Sequence, residues 1–259
     1  MKLALTAVAS LRAEVDAARS LASRKVEPPP YERWCVAPRR PGRMDRASLH
    51  ALWVAQEALR AVSPPERGSL ALVLGTALGC AEVNELYHRG LVVDGADHAS
   101  PALFAQTIPS GPLGEVSIAT GARGPAVTVM AGRCSAAAAL ASARRMLLTG
   151  RAERVLVIAS DTLGEDREPV RAARGEAPGA EATVAMLLER DGAFGRRAPL
   201  ATLAHAAVTA DEPAPALEGV DWMGAAAVIG LPEWLSGASS TLAVTVRDGR
   251  ARADVRWAR

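Results

Sequence analysis

The chain has 259 residues, of which 49% are hydrophobic and 22% are charged, and its formal net charge is +2. This is the composition of a globular protein, and it excludes wholesale disorder. The small net charge and the 3% aromatic content argue against nucleic-acid binding. No segment approaches the roughly 20 consecutive apolar residues that a membrane-spanning helix needs. We therefore expect no nucleic-acid partner and no membrane insertion.

The cysteines and histidines give no sign of a metal site or a disulfide framework. The three cysteines, Cys35, Cys80 and Cys134, cannot all pair and do not have the C-x-x-C spacing. This favours reduced thiols and a cytoplasmic location. The four histidines are scattered, with no second ligand at helical spacing. We expect no metal and no cofactor.

Apolar runs and helical periodicity predict strands alternating with helices through the first two thirds of the chain. The strands are expected at 2–9, 69–75, 126–130 and 153–160. The helices are expected at 45–62, 80–90 and 135–148. Asp45 is a candidate N-cap for the first helix, while Gly90 and Gly150 are placed to end the other two.

The last third of the chain predicts mostly β-structure. Residues 163–180 are rich in Glu, Arg and Gly and predict a solvated loop. The further elements expected are a strand pair at 182–188 and 200–208, a short helix at about 223–229 and a terminal hairpin at 242–257. Asp248-Gly249 would supply the positive φ angles of a type I′ turn in that hairpin. Strands separated by helices predict an α/β fold with its sheet covered on both faces.

The helix predicted from Ser135 to Leu148 has an unusual composition. Residues 136–141 are nearly all alanine, so neighbouring elements can approach the helix backbone on every side. We expect this helix in the middle of a layered structure. The alternative is a surface helix that happens to be alanine-rich.

Three short segments carry a family resemblance. They are the serine-proline-x-x-phenylalanine of Ser100 to Phe104, Pro109 to Gly114, and Gly121 to Val129, which contains a glycine-proline. Followed by a turn at Ala131-Gly132 and the small-residue helix, they resemble the β-ketoacyl synthase family, which has a thiolase-like fold. The resemblance implies a layered α-β-α-β-α architecture with a shortened second half. It implies an N-terminal ketosynthase-like domain over 1–212 and a remnant of the second half over 213–259, packed on the same domain.

The resemblance also locates the nucleophile position. Family members place a reactive cysteine eight residues after the proline of glycine-proline, and the residue eight after Pro125 is Arg133. Cys134-Ser135-Ala136 then match the residues that follow the nucleophile. An arginine cannot accept an acyl group, so the resemblance implies that the nucleophile is lost.

The two histidines of the family also lack counterparts. The only histidine after residue 133 is His205, which lies in an apolar, strand-like stretch. The segment Gly219 to Ala227 resembles the late glycine-histidine-x-x-glycine-alanine-alanine of the family, with Asp221 at the histidine position. All three catalytic positions are therefore expected to be lost.

A synthase-like scaffold without its nucleophile and histidines resembles the chain length factors, which are the inactive partners of ketosynthases in type II polyketide systems. Shortened versions occur in aryl polyene pathways. The implied partners are a ketosynthase, in a heterodimer, and an acyl carrier protein. The implied interface is the edge strand at Thr128, Val129 and Met130, running antiparallel to its counterpart, with Arg133 close to it.

Two other functions are open to this sequence. The chain could be an active acyltransferase or condensing enzyme that uses Cys134 after a one-residue shift at the bend. It could also bind a nucleotide at Gly75 to Gly79, but this segment is neither G-x-G-x-x-G nor a P-loop.

The N-terminal 70 residues contain twelve Lys/Arg against seven Asp/Glu. Acyl carrier proteins are acidic, so Arg39, Arg40, Arg43 and Arg46 are candidates for docking one by long-range attraction. The alternative is an ordinary solvated loop.

Overall fold

The computed structural model describes residues 3–13, 25–34, 44–165, 167–176, 178–190, 193, 198–210, 223–248 and 251–259. The strands are β1 (Leu3–Arg12), β2 (Ala71–Gly75), β3 (Ala126–Val129), β4 (Arg154–Asp161), β5 (Ala182–Arg190), β6 (Ala201–Ala210), β7 (Thr241–Asp248) and β8 (Ala251–Ala258). The α-helices are α1 (Arg46–Ala58), α2 (Pro64–Arg67), α3 (Ala81–Val93), α4 (Pro101–Phe104), α5 (Gly111–Thr120), α6 (Ser135–Leu148), α7 (Arg167–Ala173) and α8 (Leu231–Ser236). The four strands predicted in the first two thirds of the chain are present.

The strands form one sheet with the order β3-β2-β4-β5-β1-β6-β8-β7. β2 is parallel to β3 and β4, and the remaining pairs are antiparallel. The register between β1 and β6 comprises just Ala4 with Thr202 and Leu5 with Ala201. The sheet therefore has a five-stranded part that begins at β3 and a three-stranded part that ends at β7, joined by this short contact.

Helix α6 packs between these two parts of the sheet. One hydrophobic cluster joins its alanines to Val73 of β2 and Val157 of β4, and also to Leu203 of β6 and Val255 of β8. The prediction that this alanine-rich helix is central is confirmed. A Cβ added at Gly75 would lie 2.6 Å from the carbonyl oxygen of Ser135, so the close approach of β2 to α6 requires a glycine.

The opposite face of the five-stranded part is covered by α1 and α5. Leu72 and Leu74 of β2 point into this second cluster, whereas their neighbours Ala71 and Val73 point toward α6. Asp45 caps α1, since its Oδ1 accepts the N–H of Ser48 at 2.9 Å, as predicted. The described residues thus form helical, sheet, helical and sheet layers in succession. The predicted layered α/β class is confirmed, and of the implied α-β-α-β-α order the described residues form the first four layers.

The prediction that Gly90 ends a helix is wrong. Helix α3 continues through Gly90 to Val93. A single glycine inside a helix costs about 1 kcal/mol relative to alanine, which does not end the helix by itself. The chain turns at Gly95 instead, where φ is +86°.

The prediction of a fully solvated loop over 163–180 is also wrong. Helix α7 lies within this segment, and Leu163 and Ala180 near its ends are buried. The charged residues between Leu163 and Ala180 dominate the composition of the segment. The composition therefore gives no indication that these two apolar residues are buried.

Two further predictions in the last third need correction. β5 and β6 do not pair with each other, because β1 lies between them and pairs with both. The short helix expected at 223–229 is a 3-10 turn over Met223–Ala225, and α8 follows it with Pro232 in its first turn.

The terminal hairpin of β7 and β8 is confirmed. The predicted turn residue Gly249 lies outside the described residues, whereas Asp248 is the last described residue of β7. Val246, Ala253 and Trp257 of the hairpin belong to the same core as α6. The hairpin therefore lies against the helix whose first residues form the predicted site.

Candidate functional site

The predicted bend lies between β3 and α6, and glycine and serine hold its shape. Gly132 has a φ of +52°, in the left-handed region that favours glycine. The Ser135 hydroxyl accepts the N–H of Ala131 at 2.9 Å. It also lies 2.6 Å from the carbonyl oxygen of Gly132 and 2.9 Å from that of Thr76. The bend is thus tied to the end of β2 as well as to α6.

Arg133 occupies the bend directly before Cys134, which is the N-cap residue of α6. Its side chain is half-buried. Its backbone N–H donates to Oδ2 of Asp248 at 2.8 Å. An arginine side chain therefore stands where the family resemblance puts the nucleophile, and a carboxylate binds its amide.

The environment of Cys134 does not activate its thiol. The side chain is fully buried, and its Sγ lies 3.8 Å from the carbonyl oxygen of Val246 and 3.9 Å from that of Ala251. Carbonyl oxygens cannot remove a proton to make a thiolate. Burial raises the pKa of Cys134, Asp248 raises it further, and Arg133 opposes the rise. A high pKa disfavours the thiolate that an acyl-transfer nucleophile needs.

The other expected catalytic positions do not complete a site. Asp221 lies outside the described residues. His205 is exposed on β6, opposite Arg256 of β8. Within the described part of the chain, no group of three His, Cys, Asp or Glu side chains is placed to hold a metal ion.

A buried carboxylate joins the two halves of the chain beside the bend. Asp161, at the end of β4, is fully buried. It accepts hydrogen bonds of 2.7–2.9 Å from the Thr76 hydroxyl and from the N–H groups of Ala77, Leu78 and Gly224. Burial raises the pKa of Asp161, and these hydrogen bonds oppose the rise. The segment Gly75 to Gly79, the alternative nucleotide site, therefore has three of its polar groups bound to an internal carboxylate.

The predicted interface strand β3 lies at one edge of the sheet. The carbonyl oxygens of Pro125 and Val129 accept hydrogen bonds from β2 and the residue after it. Because groups alternate along a strand, the N–H and C=O of Thr128 point to the open edge. The Thr128 hydroxyl is buried and has no hydrogen-bond partner among the described residues. Thr128 thus presents backbone groups that are suited to pairing with another strand.

Large apolar side chains accompany this open edge. Val127 is 38% exposed and Met130 is 52% exposed. A Cβ added at Gly79 would lie 3.1 Å from Cε of Met130 and 3.3 Å from Cβ of Pro109, so these residues form one surface. Other exposed apolar side chains on the helices and loops between β2 and β3 are Leu86, Val92, Val93, Phe104, Ile108 and Ile118. Of these residues, Val127 and Met130 lie at the open edge itself, where a partner strand would cover them.

The residues expected to dock a carrier protein divide into two groups. Arg39, Arg40 and Arg43 lie outside the described residues. Arg46 begins α1 and pairs with the fully buried Glu181 through two hydrogen bonds, of 2.9 and 2.8 Å, and with Glu82 at 2.9 Å. Burial would lower the pKa of Arg46, but Glu181 and Glu82 outweigh it and raise the pKa. Arg46 therefore serves an internal ion-pair cluster and is not available for docking.

Sequence reasoning missed three acidic residues that organise this region: Asp161, Glu181 and Asp248. Asp161 and Glu181 each adjoin a long apolar run in the sequence, which indicates that they are buried. A buried carboxylate has to be paired or hydrogen-bonded, so both residues could have been marked as sites of internal contacts. Asp248 is predicted only as a residue of the hairpin turn, and its partner is 115 residues away in sequence. No local pattern indicates that contact.

Several solved structures share this fold. The ishigamide ketosynthase/chain length factor matches over 100% of this chain and 99% of its own, with a TM-score of 0.80 and 18% identity. The ketosynthase ApeO in complex with its chain length factor ApeC, from Xenorhabdus doucetiae, matches over 100% of both chains with a TM-score of 0.67 and 19% identity. A β-ketoacyl synthase from Burkholderia phymatum STM815 gives a TM-score of 0.79 at 11% identity, over 100% of this chain and 99% of that one. The chain has the thiolase-like fold.

Sequence comparison gives the family. The profile of the β-ketoacyl synthase N-terminal domain matches residues 12–181, which is well over half of the chain. The protein therefore belongs to the β-ketoacyl synthase family. Nodulation protein E of Rhizobium sp. (strain N33) is 35% identical over 122 residues, and that of Rhizobium meliloti (strain 1021) is 34% identical over 122 residues. Each match covers 46% of this chain but spans just 30% of the length of the curated relative.

Proposed function

We propose that this protein is a non-catalytic, ketosynthase-like subunit of the chain length factor type. In this role it pairs with an active ketosynthase that condenses chains bound to an acyl carrier protein, with loss of CO₂. The observation that supports the proposal most is the bend, where Arg133 stands at the position that the family resemblance gives to the nucleophile. The buried Cys134, whose pKa is raised, supports the same conclusion.

The partner would bind along β3. An antiparallel strand from the ketosynthase would use the open N–H and C=O of Thr128 and extend the sheet across a pseudo-twofold axis. It would also cover Val127 and Met130, and full burial of such a side chain contributes about 1.5–3 kcal/mol. In this assembly Arg133 would lie close to the subunit boundary.

The finer parts of the proposal follow from the family resemblance. The pathway would be of the type II polyketide or aryl polyene kind and would operate in the cytoplasm. Residues 1–212 would form the ketosynthase-like domain, and 213–259 the remnant of the second half. Arg39, Arg40 and Arg43 would attract the acidic carrier protein. Arg46 would not take part, because its guanidinium pairs with Glu181 and Glu82.

Co-expression with the ketosynthase of the same pathway tests the pairing, and one substitution makes the test specific. Thr128→Pro removes the outward N–H without removing a hydrogen bond to β2, since proline is tolerated on an edge strand. Thr128→Val is the matched control because it keeps the N–H and nearly the same shape. We expect a one-to-one complex by size-exclusion chromatography with light scattering for the native chain and for Thr128→Val, and at least a ~10-fold weaker complex for Thr128→Pro.

Two results would contradict the proposal. One is a native chain that stays apart from every ketosynthase of its pathway. The other is a complex that adds nothing to the elongation of carrier-bound chains by the ketosynthase alone. Acylation of Cys134 by an acyl thioester, abolished in Cys134→Ala, would favour the alternative of an active enzyme.

A further inference from the structure

The amide of Arg133 has a hydrogen-bond acceptor from a distant part of the chain. Its N–H donates to Oδ2 of Asp248, which ends β7. The neighbouring amides are bound within the bend itself: Cys134 donates to the carbonyl of Ala131 at 3.0 Å and Ser135 to that of Gly132 at 3.1 Å. The Arg133 amide therefore points out of the bend, and the carboxylate of Asp248 occupies the position of its acceptor.

We propose that this bend is an anion-binding site which the chain fills with its own Asp248 carboxylate. The bend would then be unable to carry an acyl group for two reasons: it has no sulfur to form the thioester, and the Arg133 amide is already bound to Asp248. This inference rests on the proposed function, since it explains why the subunit carries no acyl group. Its tests use the isolated chain and do not depend on a partner.

The packing around Gly132 supports the proposal. A Cβ added at this glycine would collide with Oδ2 of Asp248 and lie 3.0 Å from its Cγ. The carboxylate thus lies directly against the backbone of the bend, at the position where a side chain of residue 132 would start. A second anion cannot occupy the same space while Asp248 stays there.

The electrostatics of the bend point the same way. α6 has 14 residues, and its N-terminus carries the positive end of the helix dipole. A carboxylate that accepts a backbone N–H in this position makes a charge-assisted hydrogen bond. The carboxylate of Asp248 carries the negative charge that any oxyanion bound at this amide would carry.

The hairpin fixes Asp248 in place. Val246, two residues before it, and Ala253, which pairs with Val246, are buried against α6. The thiol of Cys134 lies beside the carbonyls of Val246 and Ala251, on either side of the turn. The carboxylate is thus held at the bend by core packing of its own strand.

Chemical rescue tests the anion site. Asp248→Ala removes the carboxylate and opens the space, so added acetate should bind there and raise the melting temperature of the variant by about 2 °C or more, in a saturable way. Asp254→Ala is the matched control, because Asp254 lies on the same hairpin but faces outward, bonded to Thr245. Sodium chloride at equal ionic strength controls for salt. We expect no saturable acetate effect on the native chain or on Asp254→Ala.

Cysteine reactivity gives a second, independent measurement. Arg133→Cys restores a sulfur at the bend, but with Asp248 in place we expect slow alkylation by iodoacetamide, located by peptide mass mapping. Arg133→Cys/Asp248→Ala should be alkylated at position 133 at least ~10-fold faster at pH 7, because removal of the carboxylate favours the thiolate. Arg133→Cys/Asp254→Ala should behave like Arg133→Cys alone.

These outcomes distinguish a failure of the anion-site proposal from a failure of the proposed function. Equal effects of acetate on Asp248→Ala and Asp254→Ala would overturn the anion site even if the cysteine variants do not fold. Equal alkylation rates for Arg133→Cys and Arg133→Cys/Asp248→Ala would overturn it as well. Neither result would touch the proposed pairing with a ketosynthase, which is measured by complex formation.

Discussion

At the scale of single residues, the chain keeps a cysteine next to the lost nucleophile position without making it reactive. Cys134 lies under the β7–β8 hairpin, fully buried, and its pKa is raised by burial and by Asp248. The thiol therefore behaves as a small apolar side chain.

This environment predicts that Cys134 is inert in the folded protein. Iodoacetamide at pH 8 should leave Cys134 unmodified in the native state and should modify it in urea, as read by peptide mass mapping. Cys134→Ala should leave complex formation with a ketosynthase unchanged. Rapid native-state modification would contradict the account, because it would require an accessible thiolate.

A second residue-scale prediction concerns pH. Burial lowers the pKa of His50 to about 4, with Glu181 opposing and Arg46 adding to the effect. As the pH falls below about 6.5, His50 becomes protonated in the unfolded chain but stays neutral in the folded chain. The contribution of this group to the free energy of unfolding is therefore retained above that pH and is lost as the pH falls toward 4. Between pH 7 and pH 4.5 this one group should remove about 2 kcal/mol of the free energy of unfolding.

Urea unfolding of the native chain and of His50→Gln at both pH values isolates this contribution from that of the carboxyl groups. We expect the difference between the two proteins to change by about 2 kcal/mol across the interval, with the native chain losing more. A parallel loss in both proteins would mean that His50 titrates normally and is not desolvated as described.

At the scale of elements, the approach of β2 to α6 sets the position of the bend. Gly75→Ala would place a Cβ 2.6 Å from the carbonyl oxygen of Ser135, which is backbone and cannot move without shifting α6. We expect a loss of about 2–4 kcal/mol in the free energy of unfolding, the range of overpacking plus backbone displacement.

Gly114→Ala in α5 is the control for Gly75→Ala, because nothing lies within 4 Å of its added Cβ. Alanine suits a helix better than glycine, so this variant should be neutral or slightly more stable. Urea unfolding measures both. A Gly75→Ala protein as stable as Gly114→Ala would show that α6 does not pack as closely as the structure has it.

The same elements show how far the sequence alone could go. The alanine run of α6, the Asp45 cap and Gly150 after α6 are local signals, and each led to a correct element. The sequence did not predict that β1 lies between β5 and β6 and pairs with both. The apolar pattern of a strand shows that it is a strand, but it does not identify the strands with which it pairs. α7 was missed because its charged residues resemble those of a loop.

At the scale of the whole molecule, the site depends on contacts between distant parts of the chain. Asp161 binds the amide of Gly224, and Asp248 binds that of Arg133. Such contacts cross 63 and 115 residues, so periodicity and spacing carry no trace of them. The identity of the residue at the bend could be predicted from the sequence, whereas the carboxylate that occupies its amide could not.

The outer face of the three-stranded part of the sheet carries polar side chains. Thr245 and Asp254 lie opposite each other on β7 and β8, joined by a 2.7 Å hydrogen bond, and Arg252 pairs with Asp254. These polar side chains alternate with the buried Ala253 and Val255. One face therefore packs on α6, and the other suits contact with water.

Intact-mass analysis of the co-purified pair, after incubation with an acyl-loaded carrier protein, tests the central claim most directly. We expect one copy of each subunit, with the acyl mass on the ketosynthase and none on this chain. An acyl group on this chain would contradict the proposal, and so would purification of this chain without any bound ketosynthase.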